Sequence, residues 1–199
     1  MELTHPKAGK GGTRWRRFAA VMVPAVAVLV VLGVGVASGA VPVDISVSGT
    51  SFKVTADRLD GTNFVQYGSM VKTKDGKPIL VAESGIADAH LTNMCQQVAV
   101  PGVGLNMLLR AGRGSKRVHA TDLMIDMSDL SGDATFHHIN IGQDASTLGG
   151  PKGSGGAAGS FGQRADSVTI THLSQTAYFT SAGSFTLPGL SLSFSSSGC

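Results

Sequence analysis

The sequence lacks the short motifs that identify most catalytic and cofactor-binding sites. It has no Gly-x-Ser-x-Gly nucleophile elbow, no Gly-Lys-Ser/Thr phosphate-binding tail, no Asp-x-Asp-x-Asp-Gly calcium loop and no Cys-x-x-Cys pair. Each of these patterns places a reactive or ligating group with the geometry that its chemistry needs. Without them, no cofactor is predicted, and the usual sequence support for hydrolases, nucleotide-binding proteins and zinc modules is missing.

An excess of charge is also missing from most of the chain. Residues 41–199 hold eleven Lys and Arg against twelve Asp and Glu, whereas residues 1–40 hold five against one. The sequence pI of about 9.0 therefore belongs to the N-terminal segment. Since a near-neutral domain does not attract nucleic acid through its overall charge, no nucleic-acid partner is predicted.

A long apolar run lies near the N-terminus. Residues 18–36 contain no charged side chain, follow five Lys and Arg, and precede the small residues at positions 37–40. This order is typical of a secretory signal that is cut after Ala40. At nineteen residues, the run is also long enough to remain as a helical anchor that spans a membrane. Segment 1–40 is thus predicted to be a signal peptide or a membrane anchor, and residues 41–199 to be exported.

Only two cysteines occur, Cys95 and Cys199, and both belong to the exported part. An even count in an exported chain predicts one disulfide bond. Two free thiols, or an intermolecular bond through Cys199, are the alternatives. The intramolecular bond would close a loop of about one hundred residues. It would also hold the last residue of the chain, which would otherwise fray.

Alternation of apolar and polar residues dominates the exported part. In segment 190–195 the even positions hold Leu or Phe and the odd positions hold Ser. Segment 72–78 contains Asp75-Gly76, which suits a two-residue hairpin turn. Segment 86–97 is the only helical candidate, and a weak one. These patterns predict an all-β fold: a single domain of twisted antiparallel sheets, arranged as a sandwich or an open groove and preceded by an N-terminal hydrophobic helix.

Three segments, which begin at Leu59, Leu130 and Leu173, resemble one another. Each continues with polar residues, an aromatic residue and then a glycine. An alanine with a nearby acidic residue precedes each of them, and Ala87-Asp88 adds a fourth such pair. The alanines are 31 to 45 residues apart, which is too irregular for a solenoid. The segments are interpreted as successive hairpins of one antiparallel sheet system, with coincidence in a β-rich sequence as the alternative.

A glycine-rich loop is predicted at residues 143–163, since seven glycines occur between positions 149 and 162. It contains Ser160 in an Ala-x-Ser-x-Gly context, which makes Ser160 a weak candidate nucleophile. His138 or His172, with Asp166 or Asp133, would complete a catalytic triad. A mobile loop does not hold a nucleophile in place, however, so the segment is interpreted as a flexible connection.

The histidine pair His137-His138 resembles a metal site. Neighbouring residues on a strand point to opposite faces, so the two rings do not share an ion and no metal is predicted. Three aspartates, Asp122, Asp126 and Asp129, are interpreted as a solvated strand face, with a weak cation site as the alternative.

A basic loop lies at residues 110–119. It carries four basic side chains around two glycines: Arg110, Arg113, Lys116 and Arg117. Such a loop is solvated in most proteins, and it can also contact an anion such as a phosphate headgroup or a wall polymer. It is the one candidate anion contact that the sequence offers.

Five segments resemble a family of exported actinobacterial proteins of unknown function. They are TRWRRFAAVMVP, FKVTADRLDG, GTNFVQYG, FHHINIG and ADSVTITHLSQTAYFT, spread between Thr13 and Thr180. Some members of that family carry the label cholesterol esterase. The resemblance implies an exported envelope protein, but it offers no catalytic motif to transfer to this chain.

The apolar strand faces suggest the function. Such faces can close into a core or remain open as a groove for acyl chains or another apolar ligand. The expected function is therefore a non-enzymatic envelope protein that binds lipid or another apolar ligand, or has a structural surface role. A lipid-ester hydrolase is the alternative. If uncleaved, residues 18–36 would add membrane contact. The sequence identifies no protein partner.

Overall fold

Ten strands and one short helical turn form the part of the chain that this computed structural model describes, residues 46–199. In chain order, the strands are β1 (Ser46–Val47), β2 (Phe52–Thr73), β3 (Pro78–Thr92), β4 (Met94–Val100), β5 (Leu105–Ala111), β6 (Val118–His137), β7 (Asn140–Asp144), β8 (Phe161–Ser181), β9 (Ser184–Thr186) and β10 (Ser191–Ser195). A 3-10 helix, Ala145–Thr147, follows β7. These residues contain no helix long and apolar enough to cross a membrane.

Four long strands pair in a closed cycle. Strand β2 pairs with β3 on one side and with β8 on the other, and β6 pairs with the same two strands. All four pairings are antiparallel. Each long strand therefore has hydrogen-bonding partners on both edges, and the cycle encloses the main core.

Small side chains fill the interior of this cycle. Ala89, Ala120, Ala165 and Ala177 have no exposed surface, and Ala89 pairs directly with Ala120 across β3 and β6. A Cβ atom at Gly61 would lie only 2.6 Å from Cγ2 of Ile86. A ring of only four strands is narrow, so its centre accepts alanine and glycine where a wider fold would need leucine.

Along the long strands, the alternation of inward-facing and outward-facing residues shifts by one position at a few residues. On β2, Leu59 faces the core at an odd position and Phe64 at an even one, and Asn63 between them has a φ of 50°. On β6, Ala120 and Leu123 both face the core, and Asp122 between them has a φ of 47°. Asn and Asp tolerate this left-handed conformation better than other residues. These positions let the strands curve while both of their segments keep apolar residues inside.

The acidic motifs of the second and third similar segments, and the fourth pair Ala87-Asp88, coincide with these changes, whereas Ala56-Asp57 of the first segment lies elsewhere on β2. Asn63 and Asp122 lie opposite Ala87 in the pairing of β2 and β6 with β3. Asp166 lies opposite Asn63 on β8. The pairs Ala87-Asp88 and Ala165-Asp166, together with Asp122, therefore mark one line across four strands. The three segments do lie in one antiparallel sheet system, but the prediction that each is a hairpin is wrong for the first, because residues 59–68 lie within the single strand β2.

Shorter strands extend the sheet beyond the closed cycle. Strand β4 pairs with the start of β2, β5 with β4, and β10 with β5. Strand β7 pairs with the start of β8, and β9 with β6. Strand β1 pairs with the end of β2, in parallel. The part of the sheet formed by β4, β5 and β10 thus extends outside the closed cycle and ends at the edge strand β10. This part is called the open side of the sheet.

The predicted all-β class is confirmed: residues 46–199 are nearly all strand and form one compact unit of antiparallel sheet. The weak helical candidate at 86–97 lies in β3 and β4. The hairpin at 72–78 is present, but four residues, 74–77, join its strands instead of two; Gly76 N–H donates to Thr73 O, and Gly76 has a φ of 75°. The predicted N-terminal helix, signal peptide or anchor lies outside the described residues.

The predicted disulfide bond is confirmed between Cys95 on β4 and Cys199. It joins residues 104 positions apart in the sequence. The backbone N–H of Cys199 also donates to Oε1 of Gln97 at 3.0 Å. The C-terminal segment after β10 is therefore held against β4.

Candidate functional site

An apolar face continues from the main core onto the open side of the sheet. Leu109 of β5 packs against the core, and its partner on β10 is Leu192. Met107 pairs with Phe194 in the same way, and residues two apart on a strand share a face. Here the sheet presents to solvent the same side that the closed cycle buries.

The side chains at the end of this face are exposed. Leu190, Leu192 and Phe194 are 54%, 57% and 60% exposed, and they form its outer row. Val103 in the turn before β5 and Leu105 at the start of β5 are exposed as well. These five residues are together called the apolar face. The predicted alternation in segment 190–195 is correct, but within residues 46–199 no strand packs over the apolar side of β10.

A basic cleft of about 560 Å³ adjoins the disulfide bond. Lys53, Arg110 and Arg113 line it, and Asp57 is the one acidic side chain among its lining residues. Asp57 accepts a hydrogen bond from Asn93 Nδ2 at 3.2 Å. The excess of positive charge gives the cleft the character of an anion-binding surface.

The basic loop predicted as an anion contact is divided by the structure. Arg110 and Arg113 line the cleft, Lys116 is exposed, and Arg117 reaches away toward β2 and β3. Arg117 forms an ion pair with Asp60 and donates to the backbone oxygen of His90. Of the four basic residues of this loop, only Arg110 and Arg113 therefore line the cleft.

The candidate triad residues lie in separate pairs. The hydroxyl of Ser160 donates to the backbone oxygen of Ala157 at 2.6 Å. Nδ1 of His138 lies 3.1 Å from Asp166 Oδ2, and Nδ1 of His172 lies 2.9 Å from Asp133 Oδ2. Both rings are largely exposed. In residues 46–199 no hydrogen bond joins Ser160 to a histidine, so this arrangement does not activate its hydroxyl.

The predicted glycine-rich loop, 143–163, begins in β7 and ends in β8. Its central part packs against the outer face of β2, where Gly155 N–H donates to the Tyr67 hydroxyl at 2.8 Å. A Cβ atom at Gly156 would lie 3.0 Å from the Tyr67 ring, so the close approach requires glycine. Val65, Tyr67, Ala145 and Leu148 form a second, small core there.

Two carboxyl groups lie near this second core. The Tyr67 hydroxyl donates to Glu83 Oε1 at 2.6 Å, and Glu83 pairs with Asp126 across β3 and β6. Burial, and then the negative charge of Glu83, raise the pKa of Asp126 to about 6. The three aspartates predicted as one solvated face therefore differ: Asp126 is buried, Asp129 is exposed, and Asp122 occupies the left-handed position on β6.

The raised pKa of Asp126 predicts a pH-dependent stability. The folded protein binds this proton more tightly than the unfolded chain, whose aspartates titrate near pH 3.9. The free energy of unfolding should therefore fall as the pH rises from about 4 to about 6. At pH values above 6, Asp126→Asn should raise the free energy of unfolding by roughly 1–2 kcal/mol, allowing for partial solvation of the carboxyl group. Near pH 4 it should leave that free energy unchanged.

Urea unfolding of D126N at these two pH values measures the effect. Asp129→Asn on the same strand is the matched control, and we expect it to change stability by less than about 0.5 kcal/mol at either pH. Destabilisation of D126N above pH 6 would contradict this interpretation of the buried carboxyl group.

A comparison with protein families matches residues 48–199 to DUF6230, described as a family of unknown function. The chain belongs to the DUF6230 family. The resemblance seen in the sequence is thereby confirmed as membership of a family of unknown function. No curated protein and no solved structure matches the chain. The proposed function of this DUF6230 chain therefore rests on its geometry and its sequence.

A cluster of histidines and an aspartate on this DUF6230 domain was not predicted from the sequence. His90 of β3 and His119 of β6 are direct cross-strand partners, and their rings stack with centroids 4.5 Å apart. Asp88 lies between them: Oδ2 is 2.7 Å from His119 Nε2, and Oδ1 is 3.2 Å from His90 Nδ1. The spacing Asp88-x-His90 places two of these groups on one strand face, but it does not reveal that β6 supplies the third.

A network of charged residues borders this cluster. Asp60 of β2 is the register partner of His90, and it binds Arg58, Arg117 and the hydroxyl of Thr169. The hydrogen bond from Arg58 is the main cause that lowers the pKa of Asp60 to about 2. The Asp60 carboxylate thus binds its own partners, and Asp88 is the acid that contacts both histidines.

Proposed function

We propose that this DUF6230 protein is an exported cell-envelope protein, without enzymatic activity, that binds the surface of a lipid membrane through its apolar face. The observation that carries the proposal is the exposure of Leu190, Leu192 and Phe194 beside one another on an open sheet face. Exposed apolar patches of this kind mark interaction sites in soluble domains. The proposed export rests on the basic, apolar and small-residue order of segment 1–40.

The basic cleft lies on the opposite side of the sheet from the apolar face. Arg110 alternates with Leu109 along β5, and Lys53 alternates with the core residue Val54 along β2. The lipid proposal therefore rests on the apolar face and not on the charge of the cleft. If residues 18–36 remain uncleaved, they would keep the domain at a membrane.

The alternative function, a carboxylic ester hydrolase, rests on the cholesterol esterase label of some actinobacterial relatives that the sequence resembles. The geometry gives it less support, because the Ser160 hydroxyl bonds to a backbone oxygen instead of a histidine. Fatty-acid release by the purified protein that is abolished by Ser160→Ala would favour the hydrolase.

Binding to vesicles tests the lipid proposal. Protein recovered from an exporting host should sediment with vesicles of mixed phosphatidylglycerol and phosphatidylcholine. Leu192→Ser combined with Phe194→Ser should weaken this binding by about 2 kcal/mol, roughly thirtyfold, because two apolar side chains no longer enter the lipid. Both side chains are more than half exposed, so the domain should remain folded.

The matched control is Leu80→Ser combined with Phe161→Ser. These side chains are also exposed, by 75% and 60%, but they lie outside the apolar face. The control should bind vesicles as the original chain does. Equal losses in both double variants, or none in L192S/F194S, would contradict the proposal. If light scattering instead shows a dimer that L192S/F194S dissolves, the face serves self-association through the β10 edge.

A further inference from the structure

We propose that Asp88, His90 and His119 form a binding site for a divalent transition-metal ion of the zinc class. One ligand atom from each residue lies within 4.8 Å of the other two. Two imidazole nitrogens and one carboxylate oxygen are a donor set that suits Zn²⁺ and disfavours Ca²⁺ or Mg²⁺, which prefer oxygen ligands alone. The inference does not depend on lipid binding.

The backbone brings these donors together without requiring a long loop. His90 and His119 are paired residues on adjacent strands, and Asp88 lies two positions before His90 on the same face. Both strands belong to the closed cycle, so their separation is fixed by backbone hydrogen bonds. Metal sites built on such rigid elements lose little conformational entropy when the ion binds.

The present contacts need only small changes to accept an ion. Bonds of about 2.1 Å in a tetrahedral site place the ligand atoms roughly 3.4 Å apart. The two nitrogens that now face Asp88 would direct their lone pairs at the ion, with the protons on the other ring nitrogens. The side chains are 39–43% exposed, so they can rotate, and a fourth position remains open to solvent.

The other histidine–aspartate pairs differ in one decisive respect. His138 with Asp166, and His172 with Asp133, each contain a single histidine, and their side chains are much more exposed. In residues 46–199, the Asp88 cluster is the one group of at least three such donors. The two pairs therefore serve as matched controls, with the same chemistry but one ligand fewer.

Calorimetric titration of the full protein with ZnCl₂ tests the site. We expect one Zn²⁺ per chain, no saturable binding in H90A/H119A, and unchanged binding in H138A/H172A. His119→Ala alone should weaken binding at least about tenfold, since even residues that only orient a ligand cost 10–100-fold. Histidine ring signals in an NMR titration should shift for two residues only.

Folding can be checked separately from binding. The variants should keep the circular-dichroism spectrum and the thermal midpoint of the original chain, because the substituted side chains lie on the outer face. Asp88→Asn offers a second variant, which keeps the size of the side chain but weakens the ligand. Absence of saturable Zn²⁺ binding by the original chain, or its retention in folded H90A/H119A, would overturn the proposal.

Discussion

Replacing both cysteines with alanine should lower the free energy of unfolding by about 3–5 kcal/mol. The bond between Cys95 and Cys199 spans 104 positions, so its loss releases a long loop in the unfolded chain. The folded state also loses its hold on the C-terminus. Among the strands of residues 46–199, β10 pairs only with β5 and lies at the edge of the sheet, so its end should fray. Chemical unfolding of C95A/C199A measures the first effect.

The matched control leaves the covalent bond intact. Gln97→Ala removes only the hydrogen bond from Cys199 N–H to Oε1 of Gln97. This change should cost about 1 kcal/mol or less. Leu192 and Phe194 of the apolar face belong to β10. Because β10 should fray without the disulfide bond, C95A/C199A should also bind vesicles more weakly. Equal stabilities of C95A/C199A and the original chain would show that the terminus is held by other contacts.

Phe64→Ala should destabilise the domain by about 3–5 kcal/mol. Phe64 is 3% exposed, and its ring lies 5.3 Å from that of Phe136 in a tilted arrangement. Its register partners are Ile86 on β3 and Ala165 on β8. The surrounding strands are fixed by the closed cycle, so they cannot collapse into the cavity that the missing ring would leave.

An exposed phenylalanine on another strand gives the comparison for this variant. Phe161 of β8 is 60% exposed, and Phe161→Ala should change the free energy of unfolding by no more than about 0.5 kcal/mol. Thermal or urea unfolding of the two variants side by side is sufficient. Similar losses in both would mean that Phe64 does not belong to a closed core.

Local sequence patterns were sufficient to predict much of this fold. The alternation in segment 190–195 predicted a strand, Asp75-Gly76 predicted a hairpin tip, and the even cysteine count predicted the disulfide bond. These signals depend on neighbouring residues or on a simple count. They do not depend on which distant strand lies alongside, so a single sequence is enough to read them.

The closure of the sheet could not be predicted in this way. Strand β2 pairs with β8 through contacts such as Leu59 with Ile170, more than one hundred residues apart. No local pattern encodes that pairing. The left-handed residues Asn63 and Asp122 interrupt the alternation, and they appeared in the sequence only as part of an irregular repeat.

The candidate sites show the same limit. Asp88 and His90 share a strand face by spacing alone, but His119 joins them only through the register between β3 and β6. Similarly, Leu192 and Phe194 were predicted to share a face, whereas the exposure of that face depends on how the other strands of residues 46–199 are arranged. Arg117 lies in the same loop as Arg113, and its ion pair with Asp60 directs it away from the cleft.

Hydrogen exchange with and without anionic vesicles tests the central claim, membrane binding through the apolar face, most directly. Exchange in residues 103–109 and 190–195 should be slower when vesicles are present, because both segments would contact lipid. The hairpin tip at 74–77 should exchange at the same rate in both conditions. Unchanged exchange in the two apolar segments, or protection confined to another surface, would contradict the account.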